Sequence, residues 1–83
     1  MRRDDLLPQQ FRLMTQDGLR FVATYRGLIK FALLARDQGG PHSDKWQNAA
    51  ERVARCLDED DEAGVEDAIR SFSSAARSEG WVR

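Results

Sequence analysis

The stretch PQQFRLMTQDGLRFVATYRGLIKFALLARD, residues 8–37, decides the predicted fold. Pro8 suits the first turn of a helix, and Gly39-Gly40-Pro41 is a strong helix terminator. Between them, apolar or small side chains recur in steps of three and four, which is typical of one helix face. These are Phe11, Met14, Gly18, Phe21/Val22, Tyr25, Leu28/Ile29 and Ala32/Leu33. We therefore predict one long helix over about residues 8–37.

Gly18 is the weakest position in this predicted helix. Thr15-Gln16-Asp17-Gly18 can instead form a short turn in which Asp17 caps a second helix. That alternative gives four helices. The apolar stripe keeps its phase across Gly18, and one interior glycine costs only about 1 kcal/mol. We favour the continuous helix and keep the break as the alternative.

Two shorter helices are predicted after a Gly-Gly-Pro loop at residues 38–43. They cover about 44–58 and 61–78, where apolar residues again recur at helical spacing. Asp60 or Asp61 is the expected N-cap of the last helix, and Gly80 the residue that ends it. The predicted fold class is therefore all-α, a three-helix bundle or helical hairpin. We expect a single helical domain over residues 1–83, with a flexible N-terminus at 1–7.

The unequal helix lengths predict a binding partner. At about 1.5 Å per residue the first helix would reach about 42 Å, against about 23–26 Å for the other two. Two short helices cannot cover such a rod, which is apolar nearly all round over residues 28–35. The remaining surface predicts a protein partner or a second copy of the chain, and we favour a homodimer over a monomer.

Five residues are predicted to carry this contact. In the helical projection the apolar contacts come from the side of the helix opposite the buried stripe and from its flank. Two cations lie at the edge of this surface. The candidate partner-binding residues are Leu19, Arg26, Lys30, Phe31 and Leu34. Small helical proteins of this kind include anti-activators, antitoxins, anti-defence proteins and chaperones. By that analogy of fold we expect a bacterial or phage inhibitor or adaptor.

Catalytic, metal and cofactor sites are not predicted, so we expect a non-enzymatic protein. His42 is the sole histidine and Cys56 the sole cysteine, and neither has a neighbour that suits a base or a metal site. Five consecutive acids, residues 58–62, follow the cysteine closely and would raise its pKa. The acidic run lacks the glycine and glutamate positions of a calcium-binding loop.

Nucleic-acid binding, in a transcription-regulatory protein for example, is the alternative function. One side of the predicted long helix, opposite its buried stripe, carries four cations that could follow phosphates. These are Arg12, Arg20, Arg26 and Lys30. Residues 1–55 carry a net charge of +4, whereas residues 56–83 carry −5. The acidic half and the overall pI of about 5.7 disfavour a dedicated DNA-binding protein. No apolar run is long enough to span a membrane, and we expect a cytoplasmic location.

Overall fold

The structure, a computed structural model, describes residues 2–82. Along the chain lie β1 (Leu6–Thr15), β2 (Gly18–Thr24), α1 (Tyr25–Asp37), α2 (Ser43–Asp58) and α3 (Glu62–Ser78). The two strands pair antiparallel as a β-hairpin. The chain therefore has a mixed α/β fold, and the prediction of an all-α fold is wrong.

Only the second half of the predicted long helix is helical. Residues 25–37 form α1, whereas residues 8–24 belong to the hairpin. The physical reason is burial: as strand residues, Phe11 and Leu13 point to the same side and both are buried against the helices. In a helix they would lie about 200° apart, so that one face could not bury both.

The four-helix alternative is also wrong, although the chain does turn at the predicted place. Thr15 pairs with Gly18 across a two-residue turn, and the Thr15 hydroxyl donates to the Gly18 carbonyl at 2.9 Å. Gly18 has φ +112°, a conformation that other residues rarely adopt. The turn therefore joins two strands, and Asp17 caps no helix.

The N-terminal segment is part of the fold. Leu6 pairs with Thr24 and Leu7 is buried, so residues 6 and 7 of the segment predicted to be flexible belong to the hairpin. The backbone carbonyls of Arg3 and Asp5 accept hydrogen bonds from the first two residues of α1, at 2.7 and 3.2 Å. Met1, the start of the predicted flexible segment, lies outside the described residues, as does Arg83.

The second and third helices begin and end within one residue of their predicted bounds. Asp61 is the N-cap of α3, and its carboxylate accepts from the Gly64 amide at 2.9 Å, as predicted. Gly80 has φ +77° just after α3, which brings the amide of Trp81 back to the carbonyl of Ala76. The final residues of the described chain therefore return to the core.

An aromatic cluster joins the hairpin to all three helices. Trp46 of α2 lies at its centre, with ring centroids 5.4–5.7 Å from three other aromatic rings. Phe11 of β1 contacts Phe72 of α3 edge to face at 5.1 Å. The cluster comprises Phe11, Phe31, Trp46, Phe72 and Trp81. Edge-to-face pairs of this kind add to the stability gained by burial.

The three helices have similar lengths of 13, 16 and 17 residues. At about 1.5 Å per residue they span about 20–26 Å. The length mismatch that predicted a partner is therefore absent from the folded chain.

Candidate protein-binding face

The hairpin separates its side chains onto two faces. Phe11, Leu13 and Val22 point inward and are buried against the helices. The neighbours of these residues on each strand point to the other side, because side chains alternate along a strand. We call this opposite side the outer face; it consists of Arg12, Met14, Leu19 and Phe21.

The outer face is apolar and exposed. Phe21 is 65% exposed, Leu19 46% and Met14 42%. The strand register places Met14 opposite Leu19 and Arg12 opposite Phe21, so the four side chains are direct neighbours. The guanidinium carbon of Arg12 lies 5.6 Å from the centroid of the Phe21 ring, within range of a cation–π contact. The face therefore offers apolar contact together with one cation.

Exposed large apolar side chains are concentrated on the hairpin. Within residues 2–82 five such side chains are exposed, and four belong to the two strands. Three are the apolar members of the outer face, and the fourth is Leu6 at the start of β1. The fifth is Leu34 on α1, 57% exposed. Single exposed leucines are common on protein surfaces, but a contiguous apolar patch is typical of an interaction site.

The five predicted partner-binding residues do not form one surface. Leu19 is on the hairpin's outer face, whereas Arg26, Lys30 and Leu34 are exposed at four-residue intervals along α1. Phe31 is only partly exposed, because its ring contacts Trp46, Phe72 and Trp81. Phe31 and Leu34 do line a common groove of about 490 Å³ beside the hairpin turn, together with Arg20 and Trp81.

Phe21 and Met14 were missed as candidate contact residues. The helical interpretation placed both on the buried stripe, where they would be unavailable to a partner. Strand alternation reverses that assignment. The signal that could have found them is the Asp17-Gly18 pair between Phe11-Arg12-Leu13 and Leu19-Arg20-Phe21, two segments in which apolar and polar residues alternate, since Asp-Gly is frequent in hairpin turns.

The predicted stripe of cations is divided among three elements. Arg12 lies on β1, Arg20 on β2, and Arg26 and Lys30 on α1. The side chain of Arg26 also donates to the Asp4 carboxylate at 2.7 Å, which compensates part of its charge. The four side chains therefore do not share a helix face. The row of cations on one helix, from which nucleic-acid binding was predicted, is absent.

Cys56 lies partly buried near the end of α2 and is not positioned as a nucleophile. Burial raises the pKa of its thiol, and the negative charges of Asp61 and Glu59 raise this pKa further. A raised pKa leaves less thiolate at neutral pH, which is the opposite of what a reactive cysteine needs. Within residues 2–82, no three His, Cys, Asp or Glu side chains are grouped so that they could hold a metal ion.

No helix among the described residues combines the length and the apolar character needed to cross a bilayer. No protein-family model, curated protein or solved structure matches this chain.

Proposed function

We propose that this chain is a non-enzymatic protein-interaction module whose outer hairpin face binds a partner protein in the cytoplasm. The observation that supports this proposal is the contiguous exposed surface of Met14, Leu19 and Phe21. Such side chains are costly to leave in water, and Phe and Met are enriched at protein interfaces. Arg12 beside the Phe21 ring adds a cation that can pair with a carboxylate at the rim of the contact.

The architecture explains why this face is available. A two-stranded hairpin is marginal alone and needs packing on at least one side. Here the helices cover the inner side, so the outer side can stay open at little cost to the fold. A partner laid on the outer face would make the hairpin the middle layer of a larger structure, as sheets in folded domains often are.

The preferred biological role is that of a small bacterial or phage inhibitor or adaptor, such as an anti-activator, antitoxin, anti-defence or chaperone-like protein. A protein that acts by occupying another protein's surface needs only a stable framework and a binding face. The compact helices and the exposed hairpin supply these two parts. Self-association into a homodimer is the second part of the proposal.

A paired capture experiment tests the binding face. The change is Leu19→Ser with Phe21→Ser in the full chain, and the matched control is Leu34→Ser on α1. The side chains are exposed, so we expect Leu34→Ser to change stability by about 0.5 kcal/mol and the hairpin variant, which also loses two cross-strand pairs, to cost about 1–2 kcal/mol. Proteins captured from cells of the source organism are compared quantitatively by mass spectrometry.

We expect at least one protein to be captured by the wild type and by Leu34→Ser, and recovery to fall at least about tenfold with the hairpin variant, as for residues that dominate an interface. Circular dichroism confirms that each variant is folded. A partner that is retained by the hairpin variant and lost by Leu34→Ser would contradict the proposal and place the contact on α1.

A further inference from the structure

The strand β2 has one unpaired side. The amide of Met14 donates to the carbonyl of Trp81 at 3.0 Å, so the Met14 backbone points away from β2. Hydrogen-bonded and non-hydrogen-bonded pairs alternate along an antiparallel ladder. The pairs Met14–Leu19 and Arg12–Phe21 are therefore non-hydrogen-bonded. The backbone groups of Leu19, Phe21 and, by the same alternation, Ala23 point outward; we call them the open edge.

The two edges of the hairpin differ in protection. On β1, Pro8 lacks an amide donor, the register is irregular between Leu6 and Phe11, and the Trp81 carbonyl occupies the Met14 amide. Prolines, irregularities and covering segments are the usual devices that prevent unwanted strand pairing. Residues 18–23 of β2 contain no proline or bulge and a single charged residue, Arg20, and no other segment within residues 2–82 pairs with their outward side.

We propose that a second copy of this chain pairs antiparallel along the open edge of β2, with Phe21 opposite the partner's Phe21. The result is a four-stranded antiparallel sheet across a two-fold axis, in place of two separate hairpins. This inference rests on the self-association part of the proposed function and specifies the surface through which it occurs.

The strand sequence selects one register for this pairing. With Phe21 at the axis, Leu19 lies opposite the partner's Ala23, so all three outward residues of each strand form hydrogen-bonded pairs. Moving the axis to Arg20 would set two arginines directly opposite each other, which is unfavourable. Moving it to Val22 would set Leu19 opposite Tyr25, which already belongs to α1. The favoured register instead places Arg20 opposite the partner's Val22.

Charges at the ends of the paired strands are complementary in this register. Asp17 of the turn comes beside the first turn of the partner's α1 and hence near the partner's Arg26. This guanidinium already donates from Nε and Nη2 to Asp4 of its own chain, which leaves Nη1 for a second carboxylate, and symmetry repeats the contact at the other end. The side chains of Asp17 and Arg26 are both exposed in the single chain. Opposite charges at both ends, with no like charges directly opposite, favour a second copy as the occupant of this edge.

The dimer would also enlarge the outer face. Strand alternation continues across the axis, so Leu19 and Phe21 of both copies would lie on the same side of the four-stranded sheet. A seven-residue edge is about 23 Å long, which buries much less than the roughly 800 Å² per partner of a standard interface. We therefore expect a reversible dimer whose population depends on concentration.

Sedimentation equilibrium of the full chain from about 10 µM to about 1 mM, the range suited to weak association, tests this inference together with residue-resolved amide exchange. We expect a monomer–dimer equilibrium in which the amides of Leu19, Phe21 and Ala23 exchange more slowly as concentration rises. Ala23→Pro removes an outward donor that the hairpin does not use, and it should weaken dimerisation at least about tenfold. Ala23→Ser keeps the donor and should behave as the wild type.

Phe21→Lys provides a second variant if Ala23→Pro proves unfolded by circular dichroism. It places two lysines opposite each other at the axis, so dimerisation should be lost at low salt and partly restored at high salt. A dimer that persists in these variants, with exchange of the amides at positions 19 and 21 unaffected by concentration, would overturn the edge inference but leave self-association intact. A monomer throughout the concentration range would overturn both.

Discussion

Replacing Trp46 by alanine is expected to lower the free energy of unfolding by about 3–5 kcal/mol. Trp46 is 1% exposed and contacts Phe31, Phe72 and Trp81. Its removal would leave a cavity at the point where the hairpin and the three helices meet. A domain of this size has few kcal/mol in reserve, so most of the stability would be lost.

Urea denaturation followed by circular dichroism measures this effect, since fluorescence would change with the tryptophan itself. The matched control is Leu34→Ala, which truncates an exposed side chain and should change stability by less than about 0.5 kcal/mol. If Trp46→Ala lost less than about 1 kcal/mol, the aromatic cluster would not be the centre of the fold.

The second large effect is expected at Leu13. Leu13 is fully buried on the inner side of β1, whereas its neighbour Met14 is 42% exposed on the outer face. Leu13→Ala should therefore cost about 2–4 kcal/mol, and Met14→Ala less than about 1 kcal/mol. Both changes remove a side chain of similar size from adjacent positions, so each is the other's control in urea denaturation.

This comparison also separates a strand from a helix at residues 8–17. On the helical interpretation Met14 belongs to the buried stripe and Leu13 does not, so the order of the two effects would be reversed. A larger loss for Met14→Ala than for Leu13→Ala would therefore contradict the hairpin.

The second and third helices could be predicted because several local signals agree there. Trp46, Ala49, Val53 and Leu57 recur at helical spacing and all are buried on one side of α2. Asp61 and Gly80 mark the two ends of α3 with the residue types that helix termini prefer. Period, cap and terminator point to the same structure, which is why the predicted bounds are correct to within a residue.

The hairpin could not be predicted in this way because its sequence is compatible with both periods. Phe11, Met14 and Gly18 are spaced like a helix face, while Phe11 and Leu13 alternate like a strand. Glutamine, leucine and methionine favour helices locally, and β-branched residues are nearly absent from residues 8–21. Packing of Phe11 and Leu13 on the helices outweighs that local preference, and the spacing of apolar residues along the sequence does not reveal such tertiary contacts.

Only part of the candidate site could be predicted, because the helical and strand interpretations agree on the exposure of some side chains and differ on others. Leu19 is exposed in either interpretation, and the structure places it in the apolar outer face. Phe21 changes from a buried helical position to the most exposed apolar member of that face once residues 18–24 form a strand. The long rod that predicted a partner is absent, and most exposed large apolar side chains among the described residues lie on the hairpin instead.

The contact between Arg12 and Phe21 gives the most direct test, because both the outer face and the open edge depend on their pairing. In a non-hydrogen-bonded antiparallel pair the two Cα atoms lie about 4.5 Å apart, so their Hα protons should give a strong nuclear Overhauser effect. We predict this cross-peak, and a second one between Met14 and Leu19, in the spectrum of the full chain. Their absence, with helical connectivities through residues 8–24, would contradict the hairpin and both proposals that depend on it.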